Sequence, residues 1–339
     1  MPFRTLPARP EPDAARGPTP LPSESWLILP EQCGGCSCHS RSPFVSTILP
    51  NLDGRRRFLQ YSAQFHWLGV PISHWQPTTF LRVNKSLGTS TQAVLVKTDE
   101  GPAIIKALGN PEGPHVLACE WVGTQLAKWL GLPTFDTAIM TIAEDDEIPF
   151  LEGGCAAPGP AFAARYEQGF DWGGGTDELR GITNVPDVAK LVVFDTWTRN
   201  CDRYFPPRCN FSNVFLAHRE AARSMTLVAM DHTHCFTCGR DLTARIAHVD
   251  CIREEKLYGL FPAFVPLVAQ SDVANAVSTL SHFSREEASA ALGQLSRDWL
   301  VPASAVEALE EFIFQRAVFV AEHIVEWLAP RCWPQGQLF

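Results

Sequence analysis

The sequence has no run of about 18 apolar residues, the length that marks a candidate membrane-spanning helix. Its first residues, MPFRTLPARPEPDAARG, lack the apolar core of a secretory signal. No internal repeat is visible either. The composition therefore indicates neither a membrane partner nor export, and we expect a cytoplasmic protein.

Positive charge is also in short supply. Lys and Arg number 28 against 37 Asp and Glu, which gives a formal net charge of -9 at pH 7. The pI calculated from the sequence is about 5.6. A chain of this charge has no broad basic surface for a phosphate backbone, so we expect no nucleic-acid partner.

What the sequence does have is length and apolar content. A chain of 339 residues with 45% hydrophobic residues can bury a sizeable core, as one large bilobal domain or two smaller ones. The first 45 or so residues are rich in Pro, Gly, Ser and Arg, so we predict that residues 1–74 form a largely disordered N-terminal extension. The alternative is that translation starts downstream and this segment is an artefact of the assigned start.

Cysteines number eleven, are scattered and are odd in count, which favours reduced thiols. They include two clusters: Cys33, Cys36 and Cys38 followed by His39, and Cys235 with Cys238. A structural zinc site usually needs four ligands, so pairing of these clusters would make a zinc-stabilised interaction protein. Ordinary buried thiols explain the same residues and are the favoured interpretation.

The pattern of apolar residues predicts an α+β fold with two lobes. Alternating or β-branched runs predict strands near 79–83, 93–97, 103–108 and 138–142, with a hairpin turn at 99–101 and a helix over 115–130. These elements make a small antiparallel sheet lobe over 75–145. A mostly helical lobe follows over 146–330: 150–185 is interpreted as a Gly-rich hinge or loop with short helices, and helices are predicted from about 186 and over 257–268, 273–280, 285–295 and 303–328.

The stretch 191–236 carries the chemistry. Asp202 follows an apolar helical run, Asn213 precedes a short apolar run, and Asp231 follows another. An Asp near an accepting hydroxyl, followed by an Asn and a second Asp that hold magnesium, is the order typical of a phosphotransfer site. Each residue alone is a common turn residue. Asn210 competes with Asn213 as the amide ligand, and we prefer Asn213 because it immediately precedes the strand.

Two further residues lie upstream in the order that a nucleotide site needs. Lys106 ends a β-branched strand, and Glu120 lies on a helix that is otherwise nearly uncharged, where a carboxylate needs a cationic partner. Such a pair holds the α and β phosphates in kinases, although a lone strand lysine is commonly a surface residue. The turn with Gly88 and Ser90 could offer amides and hydroxyls to phosphate oxygens, or be a plain hairpin.

The sequence resembles the HipA-like kinases over roughly residues 79–330. The resemblance is carried by Glu120 with the following apolar run to Gly131-Leu132-Pro133, by Phe194-Asp195-x-Trp197-x-x-Asn200-x-Asp202-Arg203, by Asn213-Val214-Phe215-Leu216, by Asp231-His232-x-His234-Cys235-Phe236, and by Asp298-Trp299-Leu300 before a long helix. One departure is the loop from Asp202 to Asn213, which carries Pro206-Pro207 and is longer than in ordinary protein kinases.

The resemblance implies a two-lobed kinase-like fold that uses ATP and Mg2+. It implies Asp202 as catalytic base, Asn213 and Asp231 as metal ligands, and a protein Ser or Thr as acceptor, with a small molecule or autophosphorylation next. We therefore predict an ATP-dependent phosphotransferase in which Lys106 and Glu120 hold the nucleotide. The rival is a catalytically degenerate kinase fold that serves as a binding module. His232 and His234 are predicted to have supporting or structural roles.

Overall fold

The computed structural model describes residues 75–219 and 224–334. The predicted N-terminal extension over 1–74, including the cluster Cys33, Cys36, Cys38 and His39, lies outside the described residues. The described residues all belong to one compact unit, Asp53–Phe339.

A five-stranded antiparallel sheet forms the first lobe. Its strands are β1 (Phe80–Ser86), β2 (Val94–Thr98), β3 (Gly101–Lys106), β4 (Thr137–Ile142) and β5 (Gly159–Arg165), in the order β1-β2-β3-β5-β4. The predicted hairpin between β2 and β3 is confirmed, with Thr98 paired to Gly101. Gly101 has a φ of 106°, a conformation that a residue without a Cβ adopts most easily.

Strand β5 lies where the sequence predicted a hinge or loop, so that interpretation of 150–185 is wrong. The segment also contains β6 (Gly169–Asp171) and the short helix α2 (Thr176–Leu179). β5 pairs with β3 on one side and with the edge strand β4 on the other, so it is an interior strand of the sheet. We therefore propose that the sheet lobe extends to Arg165, beyond residue 145.

Helix α1 (His115–Trp129) connects β3 to β4 and is confirmed within one residue of its predicted end. It is buried on nearly every side, and the buried set includes its one carboxylate, Glu120, at 4% exposure. Gly131 then takes a φ of 77°, the left-handed conformation that commonly ends a helix.

The second lobe is built around helix α3 (Pro186–Thr198), in which ten of thirteen residues are buried. A helix that is apolar all round belongs in the interior of a protein. It packs with α5 (Gln270–Leu280) and α7 (Ala303–Cys332), and α6 (Arg285–Leu292) packs on α7. The short helix α4 (Val249–Ile252) also contacts α7. The predicted helix over 257–268 is wrong: turns and one 3-10 segment, Val265–Leu267, occupy it.

A three-stranded sheet in this lobe brings two distant segments together. β9 (Val214–Ala217) lies between β6 and β10 (Thr226–Ala229), and the antiparallel register pairs Val214 with Ala229. Asn213 therefore precedes β9 at the same end at which Met230 and Asp231 follow β10. The register, rather than the sequence distance, places the two candidate metal ligands side by side.

A two-stranded hairpin lengthens the loop between Asp202 and Asn213. Its strands are β7 (Tyr204–Phe205) and β8 (Arg208–Cys209), with Pro206 and Pro207 in the turn. The hairpin brings the chain back beside Arg203, since the main-chain N–H of Asn210 donates to the main-chain carbonyl of Arg203. The extra residues are thus accommodated without separating Asn210 and Asn213 from Asp202.

The predicted α+β fold, with a small antiparallel sheet in one lobe and helices in the other, is confirmed. Within the described ranges, no helix combines the length and the apolar character that crossing a membrane would take, although α7 has 30 residues.

Candidate active site

Lys106 lies at the end of β3, buried to 8% exposure, and contacts two carboxylates. Its Nζ lies 3.0 Å from Glu120 Oε2 and 2.9 Å from Asp231 Oδ1. Burial alone would lower the pKa of Lys106, but the negative charges of Asp231 and Glu120 outweigh it and raise that pKa above its ordinary value. The predicted pair is therefore present, and it extends to the candidate metal ligand of the other lobe.

Glu120 also fixes the backbone next to Asp231. The same Oε2 that contacts Lys106 accepts a hydrogen bond of 2.8 Å from the main-chain N–H of His232. Close approach is possible because Gly123 faces this segment: a Cβ on Gly123 would lie 2.6 Å from His232 Cβ. One buried carboxylate thus orients both the lysine and the loop that carries Asp231.

Asp231 follows β10 with a φ of 56°, in the left-handed region that few residues other than glycine adopt. Its Oδ1 accepts from Lys106 Nζ and, at 2.7 Å, from Thr233 Oγ1. Burial would raise the pKa of Asp231, but the charge of Lys106 and these hydrogen bonds hold it well below its usual range. Among the described residues, none donates a hydrogen bond to Oδ2, which leaves that oxygen available to a ligand.

Asp202 lies just past the end of α3, where Arg199 takes a φ of 55° and turns the chain out of the helix. Its Oδ2 accepts hydrogen bonds from two amides, Asn210 Nδ2 at 3.1 Å and Asn213 Nδ2 at 3.0 Å. Its Oδ1 lies 3.4 Å from His234 Nδ1. The contact with His234 and the amide of Asn210 keep the pKa of Asp202 below its ordinary value, against the raising effect of partial burial.

The side-chain contacts of the two asparagines differ at their oxygens. Asn210 Oδ1 accepts a 2.7 Å hydrogen bond from Ser212 Oγ, so both ends of its amide are engaged. In the described part of the chain, no donor contacts Asn213 Oδ1. Asn213 can therefore hold Asp202 through its nitrogen and offer its oxygen elsewhere, which favours it over Asn210 as the amide ligand.

Arg203 makes buried contacts with the segments that carry Asn213 and Asp231. It forms an ion pair with Asp195 in which both side chains are fully buried, with Nε 2.8 Å from Oδ2. Burial raises the pKa of Asp195 to about 6, against the lowering effect of Arg203. The guanidinium Nη1 also donates to the main-chain carbonyls of Asn213 and, at 2.9 Å, Met230. The sequence placed Arg203 in a motif without indicating this bracing role.

The predicted phosphate turn, with Gly88 and Ser90, lies between β1 and β2 as expected. Thr89 closes it by accepting a hydrogen bond from the amide nitrogen of Ala93 at its Oγ1. Hydrogen bonds from His234 and, to a smaller extent, from Ser90 lower the pKa of Glu112, against the raising effect of partial burial. A Cβ on Gly88 would lie 3.3 Å from Leu151 Cδ2. In the described residues, no hydrogen bond joins Gly88 to Lys106 or Asp202.

The two histidines differ in environment. His232 is buried, and its pKa lies well below the ordinary value because burial disfavours the charged ring. Its Nδ1 is 3.1 Å from Thr124 Oγ1, a structural contact. His234 lies between Asp202 and Glu112, and Nε2 is 3.0 Å from Glu112 Oε2. Sequence analysis missed Glu112 because it lies 122 positions from His234.

The two cysteines of the second cluster, Cys235 and Cys238, are free thiols. Cys235 is fully buried, and burial raises the pKa of its thiol well above the ordinary value. The eight cysteines of the described residues are all free. Within those residues there is no group of three or more His, Cys, Asp or Glu side chains placed to hold a metal ion.

The donor set nevertheless fits magnesium together with a nucleotide. Asn213 Oδ1 and Asp231 Oδ2 are oxygen atoms without a described donor, and Mg2+ prefers oxygen ligands. It is commonly held by one or two carboxylates plus substrate phosphates and waters, so a site with few protein oxygens is compatible with this ion.

The chain belongs to the HipA-like kinase family, whose model matches residues 83–283. This match covers more than half of the chain and includes every candidate site residue named above. Family membership supports a kinase function.

The same fold occurs in a solved kinase, the Helicobacter pylori proinflammatory kinase CtkA. The similarity has a TM-score of 0.50 at 13% sequence identity and covers 75% of this chain and 99% of that one. At this identity the match shows the fold, a two-lobed kinase-like one. No curated protein matches the sequence significantly.

Proposed function

We propose that this protein is an ATP- and Mg2+-dependent phosphotransferase whose acceptor is a Ser or Thr hydroxyl of another protein. One observation carries the proposal: buried Lys106 contacts Glu120 and Asp231 from opposite lobes, at 3.0 and 2.9 Å. A permanently charged lysine beside a metal-type aspartate is the arrangement that holds nucleotide phosphates in kinases.

In this proposal Lys106, held by Glu120, would hold the α and β phosphates of the nucleotide. Asn213 and Asp231 would hold Mg2+ through their side-chain oxygens, and the bound ion would neutralise phosphate charge. Asp202 would accept a hydrogen bond from the acceptor hydroxyl and take its proton as phosphoryl transfer proceeds. Most of the rate acceleration would come from positioning and charge neutralisation.

The candidate base is suited to this role by its hydrogen bonds. The two amides that donate to Asp202 Oδ2 fix the plane of the carboxylate. The lowered pKa of Asp202 keeps it ionised at neutral pH, so it can accept a hydrogen bond from a hydroxyl.

The test is magnesium-dependent ATP binding and turnover by the purified full-length protein, with a generic Ser/Thr acceptor protein and with a panel of small-molecule alcohols. We expect Asp202→Ala to lower turnover by about 10²- to 10⁴-fold while nucleotide binding survives. Asp145→Ala, in an exposed turn, is the matched control and should behave as wild type. Wild-type protein that neither binds nor turns over ATP would rule out the kinase proposal.

The metal assignment needs a separate variant. Asp231→Asn keeps the size of the side chain and removes its charge, so it should weaken the Mg2+ dependence of ATP binding. Unchanged Mg2+ dependence in this variant would contradict the assignment, even if turnover by the wild type is observed. Mass spectrometry of the acceptors distinguishes a phosphorylated Ser or Thr from a phosphorylated small molecule.

A second candidate is a kinase fold that binds a nucleotide or partner without phosphotransfer. The turn between β1 and β2 favours it, because Gly88 is the only glycine between Ser86 and Thr91 and a glycine-rich loop normally covers the phosphates. ATP binding by wild type without turnover, unaffected by Asp202→Ala, would support this candidate.

A further inference from the structure

Both oxygens of the Asp202 carboxylate already have neighbours, and they differ. Oδ2 accepts from the amides of Asn210 and Asn213, which occupies both lone pairs of that oxygen. Among the described residues, Oδ1 has one polar side-chain neighbour, the ring of His234, whose Nδ1 lies 3.4 Å away. One lone pair of Oδ1 therefore stays open, and an acceptor hydroxyl would reach Asp202 at Oδ1, next to His234.

His234 is held on its other side by the sheet lobe. Its Nε2 lies 3.0 Å from Glu112 Oε2, and Glu112 lies in the loop between β3 and α1. A carboxylate lies near each ring nitrogen, which favours the protonated ring, and the pKa of His234 is raised to about 10 by Asp202 and then by Glu112. The two carboxylates thus restrict the orientation of the imidazole, much as a carboxylate acceptor fixes the ring of a metal-binding histidine.

The backbone provides space for the ring. Gly239 has a φ of 78°, and a Cβ there would lie 2.9 Å from His234 Nε2 and 3.1 Å from its Cδ2. The turn is closed by the amide nitrogen of Cys238, which donates to the carbonyl of His234 at 3.2 Å. His234 therefore occupies a fixed place against a glycine, with its side chain only 17% exposed.

The contact with Asp202 is not fully aligned. Nδ1 is buried and at ion-pair distance from Oδ1, yet the described residues provide no hydrogen bond of good geometry for it. Hydrogen bonds of catalytic groups are often long before substrate binds and tighten in the complex.

We propose that His234, held by Glu112, is a positioning residue that orients Asp202 Oδ1 toward the acceptor hydroxyl. This inference rests on the proposed phosphotransfer function and adds to it a residue of the loop after Asp231. Because Glu112 belongs to the sheet lobe and Asp202 to the helical lobe, His234 couples the position of the base to the nucleotide-binding side of the cleft.

Three variants of His234 separate this role from a structural one. His234→Asn places an amide near the position of Nδ1 and keeps a donor to Asp202, whereas His234→Gln places it near Nε2 and keeps a donor to Glu112. His234→Ala keeps neither. His282→Ala is the control, since His282 is exposed and lies outside the site. Turnover, ATP affinity and Tm are measured for all four variants and the wild type.

We expect His234→Ala and His234→Gln to lower kcat by about 10- to 100-fold, the usual effect of removing an orienting partner. His234→Asn should recover to within a few-fold of wild type, and the Kd for Mg·ATP should change less than about twofold throughout. The inference is overturned if the wild-type protein turns over ATP and His234→Ala keeps the wild-type kcat. It is also overturned if the three variants lose kcat equally, or in proportion to Tm. Absence of turnover in the wild type would instead reject the proposed function itself.

Discussion

Arg203 and Asp195 form an ion pair in which neither side chain is exposed to solvent, one residue away from the candidate base. Because Arg203 also donates to the carbonyls of Asn213 and Met230, it connects the segments that carry the candidate base and the two candidate metal ligands. A buried charge that makes these contacts fixes the relative position of the loop, β9 and β10. The geometry of the site therefore depends on a pair that touches neither nucleotide nor acceptor in the proposed mechanism.

The first prediction concerns this pair. Arg203→Met leaves the Asp195 carboxylate buried without its partner, so the free energy of unfolding should fall by about 3–5 kcal/mol. The double variant Asp195→Asn with Arg203→Met removes both charges and should lose less than the sum of the two single variants. Urea denaturation followed by circular dichroism measures all three. Strictly additive losses would contradict the coupling that we infer.

The second prediction concerns Lys106. Lys106→Ala removes the cation proposed to hold phosphate and leaves Glu120 and Asp231 facing each other, so we expect kcat/KM for ATP to fall by about 10²- to 10³-fold. Lys97→Ala, in β2 and exposed, is the matched control and should leave kcat/KM unchanged. If kcat/KM for ATP of Lys106→Ala stays within about threefold of the control, Lys106 does not belong to the nucleotide site.

Local sequence predicted the charged pair of Lys106 and Glu120 because its residue types stand out. Lys106 ends a β-branched strand, and Glu120 is a carboxylate on an apolar helix. A charge that is removed from water in such surroundings needs a partner of opposite charge. Their contact follows from the cost of burying an unpaired charge, and the apolar residues around each charge are visible in the sequence. The order of Asp202, Asn213 and Asp231 was similarly readable, but their proximity depends on the register of β9 with β10.

The parts that sequence reasoning missed depend on tertiary contacts or on weak local signals. Strand β5 reads GPAFAAR, and its alanines have little strand preference of their own; pairing on both sides with β3 and β4 decides its conformation. The predicted helix over 257–268 contains Pro262 and Pro266, and proline is disfavoured inside a helix. Several apolar residues of this segment are buried although the chain there forms turns. Glu112 and His234 meet across 122 positions, beyond the reach of any local pattern.

The third prediction concerns Cys238. A hydrogen bond from the Cys201 thiol, with the nearby charges of Arg199 and Arg208, lowers the pKa of Cys238 to about 7, whereas slight burial raises that of exposed Cys209. The thiolate is the reactive form, so at pH 7.5 iodoacetamide should alkylate Cys238 faster than Cys209 despite its lower exposure. Peptide mass spectrometry over pH 6–9 gives both rates. Faster labelling of Cys209 would show that access, rather than thiolate content, controls reactivity here.

The fourth prediction concerns pH. The raised pKa of His234, about 10 against an ordinary value of 6.5, means that the folded state holds its proton more tightly than the unfolded chain does. This contribution to stability is fully present below about pH 6.5 and is lost as pH rises through about 10. The free energy of unfolding should therefore fall more steeply between these pH values for wild type than for His234→Ala. Parallel pH profiles for the two proteins would contradict it, and His282→Ala should keep the wild-type slope.

The fifth prediction concerns the contact between Gly123 and His232. A Cβ on Gly123 would lie 2.6 Å from His232 Cβ, next to the backbone that Glu120 fixes, and neither atom belongs to a flexible side-chain end. Gly123→Ala should therefore push the loop of Asp231 away from α1, lower the free energy of unfolding by about 1–3 kcal/mol and reduce turnover. Gly293→Ala is the control, because its Cβ would meet backbone oxygens at ordinary distances of 3.4 and 3.5 Å. If Gly123→Ala is as stable and as active as the control, the loop has room to move and does not depend on close packing against α1.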